Sequence, residues 1–294
     1  MLLAEKVLMV EPKGFGFNRE TSKDNAFQSP VTMHAPAEAA MKEYQELKKK
    51  LMKAGITVMT FSPKDQSTPD AVFANNWIST TPDELIIYPM MSENRRQERN
   101  QYIIDRLKGL YQKFTDLTSL EKNGFFLEGT GSLVLDHDNK TAFACLSGRT
   151  HEQAIQEWNK SKNYQLVLFH AFDKENQPIY HTNVVMALGE GFSIACLEAI
   201  HDEKERNKVR EALMLRGEIL EITRTQMMSY CGNCLALKND EGQKFLVMSA
   251  SAYAGFTESQ KQKLIKFVTI IYSSLQTIET LGGGSARCML AELF

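Results

Sequence analysis

Short amphipathic helices recur at a regular interval along this chain of 294 residues. The first predicted helix begins at Pro36 and ends just before Gly55, with apolar residues spaced three or four positions apart. Later helices are predicted to start at Ser92, Thr150, Asp202 and Thr257. The last three of these residues precede a Gln or Glu by three positions, which is the spacing of a capping box. The helix starts therefore lie 56, 58, 52 and 55 residues apart.

Short runs typical of β-strands fill the intervals between these helices. They lie at 56–61, 85–90, 125–136, 141–146, 165–169, 184–188, 192–197, 218–223, 233–237 and 244–250. Five near-equal αβ units predict a closed ring, because stacked units bury faces that no unit could bury alone. Two unrelated α/β domains with evenly spaced helices are the alternative. No linker-like tract marks a boundary, so one domain over residues 1–294 is the simpler prediction.

Charge and cysteine content exclude several classes of protein. The 34 basic and 36 acidic residues nearly cancel, which argues against a broad electrostatic surface for nucleic acid or an acidic membrane. The apolar runs are short, and Glu5 and Lys6 interrupt the first of them, so neither a membrane span nor a secretion signal is predicted. Five scattered cysteines do not predict a disulfide framework. We therefore expect a cytoplasmic protein.

A glycine-rich segment near the carboxyl end carries a candidate nucleophile. Gly282–Gly284 allows a close approach of the backbone to a ligand, and Cys288 follows beside Arg287, which would favour a thiolate. A phosphate loop is the competing interpretation, but no Gly-Lys-Ser/Thr follows the glycines. A structural cysteine is the other alternative.

Two further segments contain groups suited to proton transfer. His181 and Asn183 enter a predicted strand, where a rigid element would hold their side chains, although a surface histidine is the simpler interpretation. Glu128 interrupts an apolar run beside Gly129 and Gly131. If buried, this carboxylate needs a cationic or N–H partner. If not, it lies on a solvated face.

Amide side chains cluster in Pro69–Trp77. Asn75 and Asn76 can both donate and accept hydrogen bonds, which matches a neutral polar group such as an amide or urea, while a turn is the alternative. Cys231 and Cys234 have zinc-like spacing, but no second ligand pair is visible, so no metal site is predicted.

Taken in chain order, these motifs resemble the guanidino-group-modifying superfamily. The segments that carry the resemblance are Pro69–Phe73, Asn94–Arg96, Phe125–Val134, Leu146–Thr150, His181–Asn183 and Gly282–Cys288. Phe15–Asn18, Glu20–Thr21 and Asn25–Gln28 are similar to the citrulline-utilisation hydrolase branch. The resemblance implies the pentein fold, a five-bladed α/β propeller of ββαβ-type repeats.

The resemblance also implies roles for the site residues. Cys288 would be the nucleophile, with His181 as the acid–base group and Glu128 as its acidic partner. Arg95 and Arg149 would bind the substrate carboxylate, and Asp70 its ammonium. Asn75, Asn76 and Asn183 would contact the reacting end. No metal or organic cofactor is expected, since thiolate and imidazole supply nucleophile and proton relay. The expected partner is a small amino acid rather than nucleic acid or membrane. The sequence leaves open whether the chain forms a homo-oligomer.

The departures from relatives indicate the substrate. Dimethylarginine hydrolases have carboxylates at the positions of Asn75 and Asn76, and arginine deiminases have an aspartate at that of Asn183. An anion facing a guanidinium in a partly desolvated pocket provides a large preference for that cation. Its replacement by amides favours an uncharged ureido group, so hydrolysis of citrulline to ornithine, ammonia and carbon dioxide is expected.

Two alternatives remain. One is an arginine or dimethylarginine deiminase, or an amidinotransferase that passes the cysteine-bound carbon to an amine. The other is a non-enzymatic ribosome-binding protein of the same fold. The cysteine, histidine and glutamate argue against a pure binding surface, and the balanced charge offers little to ribosomal RNA.

Overall fold

A computed structural model describes residues 2–294 as short strands and helices that alternate along the chain. The strands are β1 (Lys6–Val10), β2 (Thr57–Phe61), β3 (Ile78–Thr80), β4 (Glu84–Ile87), β5 (Lys113–Asp116), β6 (Val134–Asp136), β7 (Thr141–Cys145), β8 (Gln165–Phe169), β9 (Met186–Gly189), β10 (Gly191–Ala195), β11 (Gly217–Glu221), β12 (Leu235–Lys238), β13 (Lys244–Ser249), β14 (Thr269–Ser273) and β15 (Ala291–Leu293). The helices are α1 (Pro36–Lys53), α2 (Glu93–Arg96), α3 (Gln101–Lys108), α4 (Gly129–Ser132), α5 (Glu152–Asn159), α6 (Thr182–Val185), α7 (Glu203–Met214), α8 (Arg224–Met228), α9 (Ala250–Gly255) and α10 (Glu258–Leu264).

The strands form five three-stranded sheets with one shared topology. In each sheet the middle strand is antiparallel to one neighbour and parallel to the other, as in β3-β4-β5, β6-β7-β8, β9-β10-β11 and β12-β13-β14. The fifth sheet, β15-β1-β2, joins the carboxyl-terminal strand to the amino-terminal one, with Leu8 opposite Ala291. The predicted αβ repeat is therefore confirmed as an α/β fold of five small mixed sheets.

Helices connect the parallel strands within each sheet, and most begin where the sequence predicts. Helix α1 buries Tyr44 and Leu47, which lie on one face because their spacing is helical. The hydroxyl of Thr257 and the carboxylate of Asp202 cap α10 and α7 as predicted. The predicted cap at Thr150 is wrong, because that hydroxyl bonds to the side chain of Ser132 instead and α5 begins at Glu152.

A short turn precedes the first strand of every sheet. Single turns of helix cover 74–76, 129–132, 182–185 and 286–289, and a hydrogen-bonded turn ends at Asn233 before β12. The strand predicted over 184–188 therefore begins with the end of a helical turn, and the one predicted over 125–136 is interrupted by a helical turn at 129–132, so that only 134–136 forms a strand there. These five turns carry the candidate site.

Apolar side chains pack between the helices and sheets in four buried clusters. The two largest fully buried side chains are Trp77 and Trp158. Within the described residues, no helix has both the length and the apolar character that crossing a bilayer requires.

Candidate active site

A polar residue lies in or directly before each of the five turns, and these residues occupy neighbouring positions in the structure. These residues are Asn76, Glu128, His181, Asn233 and Cys288. They are 52, 53, 52 and 55 residues apart, so the spacing of the site follows the repeat of the fold. All five are buried. The repeat therefore assembles groups from the entire chain that no local segment could bring together.

An imidazole and a carboxylate form the first part of the site. Nε2 of His181 lies 2.9 Å from Oε2 of Glu128, and Oε1 of Glu128 accepts a hydrogen bond from the backbone N–H of Met91. Burial alone would raise the pKa of Glu128, but Arg149 and the His181 contact outweigh it and hold that pKa at about 2. Burial lowers the pKa of His181 despite its acidic neighbour. An ionised glutamate thus orients a neutral imidazole.

The sulfur of Cys288 lies among amides. Nδ2 of Asn233 is 3.2 Å from Sγ and Nδ2 of Asn183 is 3.5 Å from it. The predicted stabilisation of a Cys288 thiolate by Arg287 is wrong. The guanidinium of Arg287 bonds instead to the Leu290 carbonyl at 2.8 Å and to the carboxylate of Glu292 at 3.0 Å. The side chains that donate to this sulfur are therefore uncharged.

The glycine run allows close packing around the loop before Cys288. Gly283 has a φ of +64°, and a Cβ there would lie 2.5 Å from Nδ2 of Asn25. Its carbonyl accepts a hydrogen bond of 2.7 Å from the hydroxyl of Tyr180. A Cβ at Gly284 would meet the ring of Phe73 at 2.7 Å. These contacts account for the glycines by close packing of protein groups.

Both predicted carboxylate-binding arginines line the cavity, but protein carboxylates engage them. Arg95 donates to both oxygens of Glu98 at 2.9 Å and to Oδ1 of Asn76 at 2.8 Å. Arg149 donates to Asp24 through Nε at 2.8 Å and through Nη2. Asp24 thus occupies the fork that a substrate carboxylate would use.

Two buried oxygens near the cavity have no hydrogen-bond partner. Oδ2 of Asp70 accepts bonds from Asn18 and Thr21, whereas Oδ1 of Asp70 accepts none. Oδ1 of Asn183 is equally without a partner. Burial raises the pKa of Asp70, although Arg95 opposes this effect. A buried acceptor without a donor is costly, so both atoms are suited to receive N–H groups of a ligand.

The two amides of the predicted pair have different surroundings. Asn76 lines the cavity, and its Nδ2 donates to Oδ1 of Asn75 at 3.0 Å. Nδ2 of Asn75 faces the hydroxyl of Thr130 at 3.4 Å. A Cβ on Gly131 would lie 2.5 Å from Nδ2 of Asn76 and 2.7 Å from Nδ1 of His181, so this glycine allows the amide and the imidazole to approach.

One cavity brings most of the predicted residues together. Its lining comprises Thr21, Asn25, Asp70, Phe73, Asn76, Arg95, Arg149, Tyr180, His181, Gly282, Gly284 and Cys288. The other predicted residues, Asn75, Glu128 and Asn183, lie behind this lining. Over residues 2–294, no group of three or more His, Cys, Asp or Glu side chains is arranged to hold a metal ion. The thiols of Cys231 and Cys234 face backbone carbonyls instead.

Sequence reasoning missed three residues of this region: Asp24, Tyr180 and Asn233. The repeat itself could have indicated Asn233, since a position about 52 residues after His181 falls on it. No local signal indicates Asp24, because its partner Arg149 is 125 residues away.

The family of the chain follows from its sequence. The family model described as "N,N dimethylarginine dimethylhydrolase, eukaryotic" matches residues 11–294. The chain belongs to the dimethylarginine dimethylhydrolase family. This confirms the resemblance to the guanidino-group-modifying superfamily, and it confirms at family level the predicted class of hydrolases acting on C–N bonds. No curated protein sequence matches the chain significantly.

Solved structures share the fold at low sequence identity. The substrate-bound N-terminal domain of ArgZ, an arginine dihydrolase from the ornithine–ammonia cycle in cyanobacteria, is 15% identical, with a TM-score of 0.78 and coverage of 98% of this chain and 97% of that domain. AgrE in complex with L-arginine is 16% identical, with a TM-score of 0.78 and coverage of 98% of this chain and 40% of the AgrE chain.

A dimethylarginine dimethylaminohydrolase in an adduct with S-methyl-L-thiocitrulline is 14% identical, with a TM-score of 0.68 and coverage of 99% of this chain and 100% of that enzyme. The chain spans about 40% of the length of the longer ArgZ and AgrE chains. These similarities show the fold alone.

Proposed function

We propose that this family member is a cysteine-dependent hydrolase that cleaves a C–N bond in the terminal ureido or guanidino group of an amino acid, with citrulline preferred. One observation carries the proposal. A cavity lined by the thiol of Cys288 and the imidazole of His181, with Glu128 ionised behind it, also contains groups that match both charges of an α-amino acid. Thiolate and imidazole are the groups that nucleophilic hydrolysis of such a carbon requires.

The amino-acid end of the substrate would replace a contact made by the protein. Its α-carboxylate would displace Asp24 from the fork of Arg149, since both ligands are carboxylates with the same geometry. Its ammonium would donate to the unpartnered Oδ1 of Asp70. This pairing leaves neither buried charge without a partner.

At the other end of the substrate, Cys288 as thiolate would attack the ureido carbon. His181, after its neutral imidazole has taken the thiol proton of Cys288, would protonate the departing nitrogen as that C–N bond breaks, and the sulfur would keep the carbon as a covalent adduct. The neutral imidazole would then take a proton from the water that attacks this adduct, so that the C–S bond breaks and a carbamate and the thiolate are released. The carbamate would take up a proton and lose carbon dioxide, which breaks the second C–N bond. One water added to citrulline gives ornithine, ammonia and carbon dioxide, which balances all atoms.

The preference for a ureido group rests on the charges that line the cavity. Asp70 is the only carboxylate among the twelve lining residues, and Arg95 and Arg149 oppose it. Asn76 presents an amide there, and Asn183 behind the lining has an unpartnered amide oxygen. A guanidinium cation would meet no free anion beyond Asp70, whereas an uncharged ureido group needs none.

Product analysis tests this proposal. Purified protein would be incubated with citrulline, arginine or dimethylarginine, and ornithine, citrulline and ammonia would be measured. We expect ornithine and one ammonia per citrulline consumed. Absence of turnover with all three substrates would refute the proposed function.

Arginine hydrolysis is the second candidate. The fold similarity to an arginine dihydrolase and to AgrE bound to L-arginine favours it, as does the free oxygen of Asp70. In that case arginine would release two ammonia molecules for each ornithine formed, with citrulline as the intermediate. A higher kcat/KM for arginine than for citrulline would favour this candidate over the first.

The proposal includes the arrangement of the sheets. We infer that the five sheets close into a single five-bladed ring over residues 2–294, because β15 pairs with β1 and β9 contacts both β6 and β12. Such a ring would direct all five turns towards one end of its axis.

A further inference from the structure

Asn233 takes no part in the steps above, yet it contacts the atom that reacts in them. Its side chain is fully buried, and its Nδ2 lies 3.2 Å from Sγ of Cys288. The same Nδ2 donates to the backbone carbonyl of Asn183 at 3.0 Å, and Oδ1 accepts from the backbone N–H of Arg287 at 3.1 Å. One amide therefore links the turn that follows His181 to the turn that carries the sulfur.

Two backbone partners fix the orientation of this amide. The N–H of Arg287 can only donate, so it requires Oδ1, and the carbonyl of Asn183 can only accept, so it requires Nδ2. A flipped amide would place donor against donor and acceptor against acceptor. The group that faces the sulfur at 3.2 Å is therefore an N–H donor.

We propose that Asn233 is a catalytic residue that stabilises Cys288 as a thiolate through its amide N–H and holds the sulfur at a fixed distance from the turn of His181. This inference rests on the proposed role of Cys288 as nucleophile. A hydrogen bond to an ionised acceptor is stronger than one to a neutral group, so the contact favours the charged sulfur. Loss of the thiol proton leaves the sulfur as an acceptor for this N–H.

The amide of Asn233 is also compatible with Cys288 in its uncharged thiol form. Oδ1 of Asn233 lies 3.7 Å from Sγ, which is long but within reach of a thiol proton. Asn183 offers a second N–H at 3.5 Å, but no backbone group fixes its amide because its Oδ1 has no partner. Asn233 is therefore the better oriented of the two donors.

The pH dependence of Cys288 alkylation by iodoacetamide tests the proposal. Asn233→Asp keeps an acceptor for Arg287 but places an anionic oxygen where the N–H faced the sulfur. We expect the apparent pKa of alkylation to rise by about one or more and the rate at pH 7 to fall about tenfold. With citrulline, kcat should fall about 100-fold while KM changes less than threefold. Mass spectrometry of the peptide that contains Cys288 separates it from the other cysteines.

Asn239→Asp is the matched control. Asn239 is also buried and also links two backbone groups, donating to the Ala54 carbonyl and accepting from the N–H of Gln243. It lies outside the cavity, so its substitution should leave the alkylation profile unchanged. If Asn233→Asp does not fold, Asn233→Ser decides by the same measurement, because a hydroxyl is too short to contact both backbone groups and the sulfur.

The outcomes separate this inference from the proposed function. Alkylation needs no substrate, so an unchanged profile in a folded Asn233 variant overturns the role of Asn233 alone. Absence of turnover with every ureido and guanidino substrate overturns the proposed function alone. A fall in kcat without a shift in the alkylation profile would also overturn the inference, because it would indicate a purely structural effect.

Discussion

The two ends of the cavity differ sharply in charge. Around the sulfur, the donors to Cys288 are the neutral amides of Asn183 and Asn233. The opposite end contains two buried arginines and several carboxylates. These are Arg95, Arg149, Asp24, Asp70, Glu98 and Glu128.

This difference separates two physical tasks. A buried ion is stable only when an opposite charge and hydrogen-bonding groups lie in good geometry around it. The charged end therefore holds its side chains in one geometry. An amide can donate or accept, so the neutral end can accommodate sulfur both as thiol and as thiolate. His181 lies between the two ends, since it is bound to Glu128 and lines the same cavity as Cys288. We therefore expect the charged end to position groups and the neutral end to adapt during the proposed reaction.

Removal of the sulfur should give the largest effect. Cys288→Ala leaves the charged end intact, so turnover should fall by at least about 10⁴-fold while ligand affinity stays within about threefold. Steady-state kinetics and calorimetric titration with citrulline measure the two quantities. Cys196→Ala, a buried cysteine outside the cavity, is the control. Turnover of the alanine protein at the wild-type rate would show that Cys288 is not the nucleophile.

The second-largest effect on turnover should come from neutralising Glu128, the carboxylate beside His181. Glu128→Gln removes the anion that orients the imidazole, so kcat should fall about 10²- to 10³-fold. The pH–rate profile of the variant should also change, which a loss of folding alone would not cause. An unaltered kcat and profile would mean that Glu128 has no role in proton transfer.

The same substitution should alter acid stability. The pKa of Glu128 is about 2 in the folded protein, against 4.5 for an ordinary glutamate. Its stabilising effect is therefore complete above pH 4.5 and is lost as the pH falls towards 2. Between pH 7 and pH 2 the wild type should lose about 3 kcal/mol more unfolding free energy than Glu128→Gln. Urea unfolding over a pH series measures this, and parallel curves for the two proteins would contradict it.

Adding charge near the neutral amides should change selectivity. Asn76→Asp places an anion on the cavity wall and should raise the arginine/citrulline ratio of kcat/KM about tenfold, an effect that Arg95 moderates by pairing with the new charge. Asn75→Asp is the control because that side chain faces Thr130 instead. If both variants keep the wild-type ratio, the charge argument for citrulline fails.

Removing the protein's own carboxylate from Arg149 should have the smallest effect. Asp24→Asn weakens a contact that the substrate must displace, so KM for citrulline should fall about threefold with little change in kcat. Asp240→Asn, at an exposed position, serves as the control. A rise in KM would instead show that Asp24 supports the bound state.

Local signals predicted the repeat well and the contacts within the site poorly. Thr257 and Asp202 were identifiable as caps because capping depends on residues three positions apart. Thr150 has the same spacing, but its hydroxyl bonds to Ser132, a tertiary contact that no pattern reveals. The turns of α4 and α6 were missed because four residues are too few to show a helical period.

The candidate site shows the same limit. Its groups come from turns that repeat with the fold, so the family motifs indicated Cys288, His181 and Glu128. The partners of Arg149 and Cys288 lie 125 and 55 residues away along the chain. The segment that contains Asn233 is notable in the sequence only for the zinc-like spacing of Cys231 and Cys234, which indicates nothing about the amide. Which amide reaches the sulfur depends on how separate repeats pack together.

The pairing of β15 with β1 has a consequence for folding. Cys288 lies three residues before β15, and β15 is held by a strand at the far end of the described chain. Contacts between such distant segments form slowly, because a large loop must close before they gain stability. In a molecule where β15 had not yet paired with β1, the turn of Cys288 would lack this anchor, and we expect the thiol to reach its native reactivity only after the pairing forms.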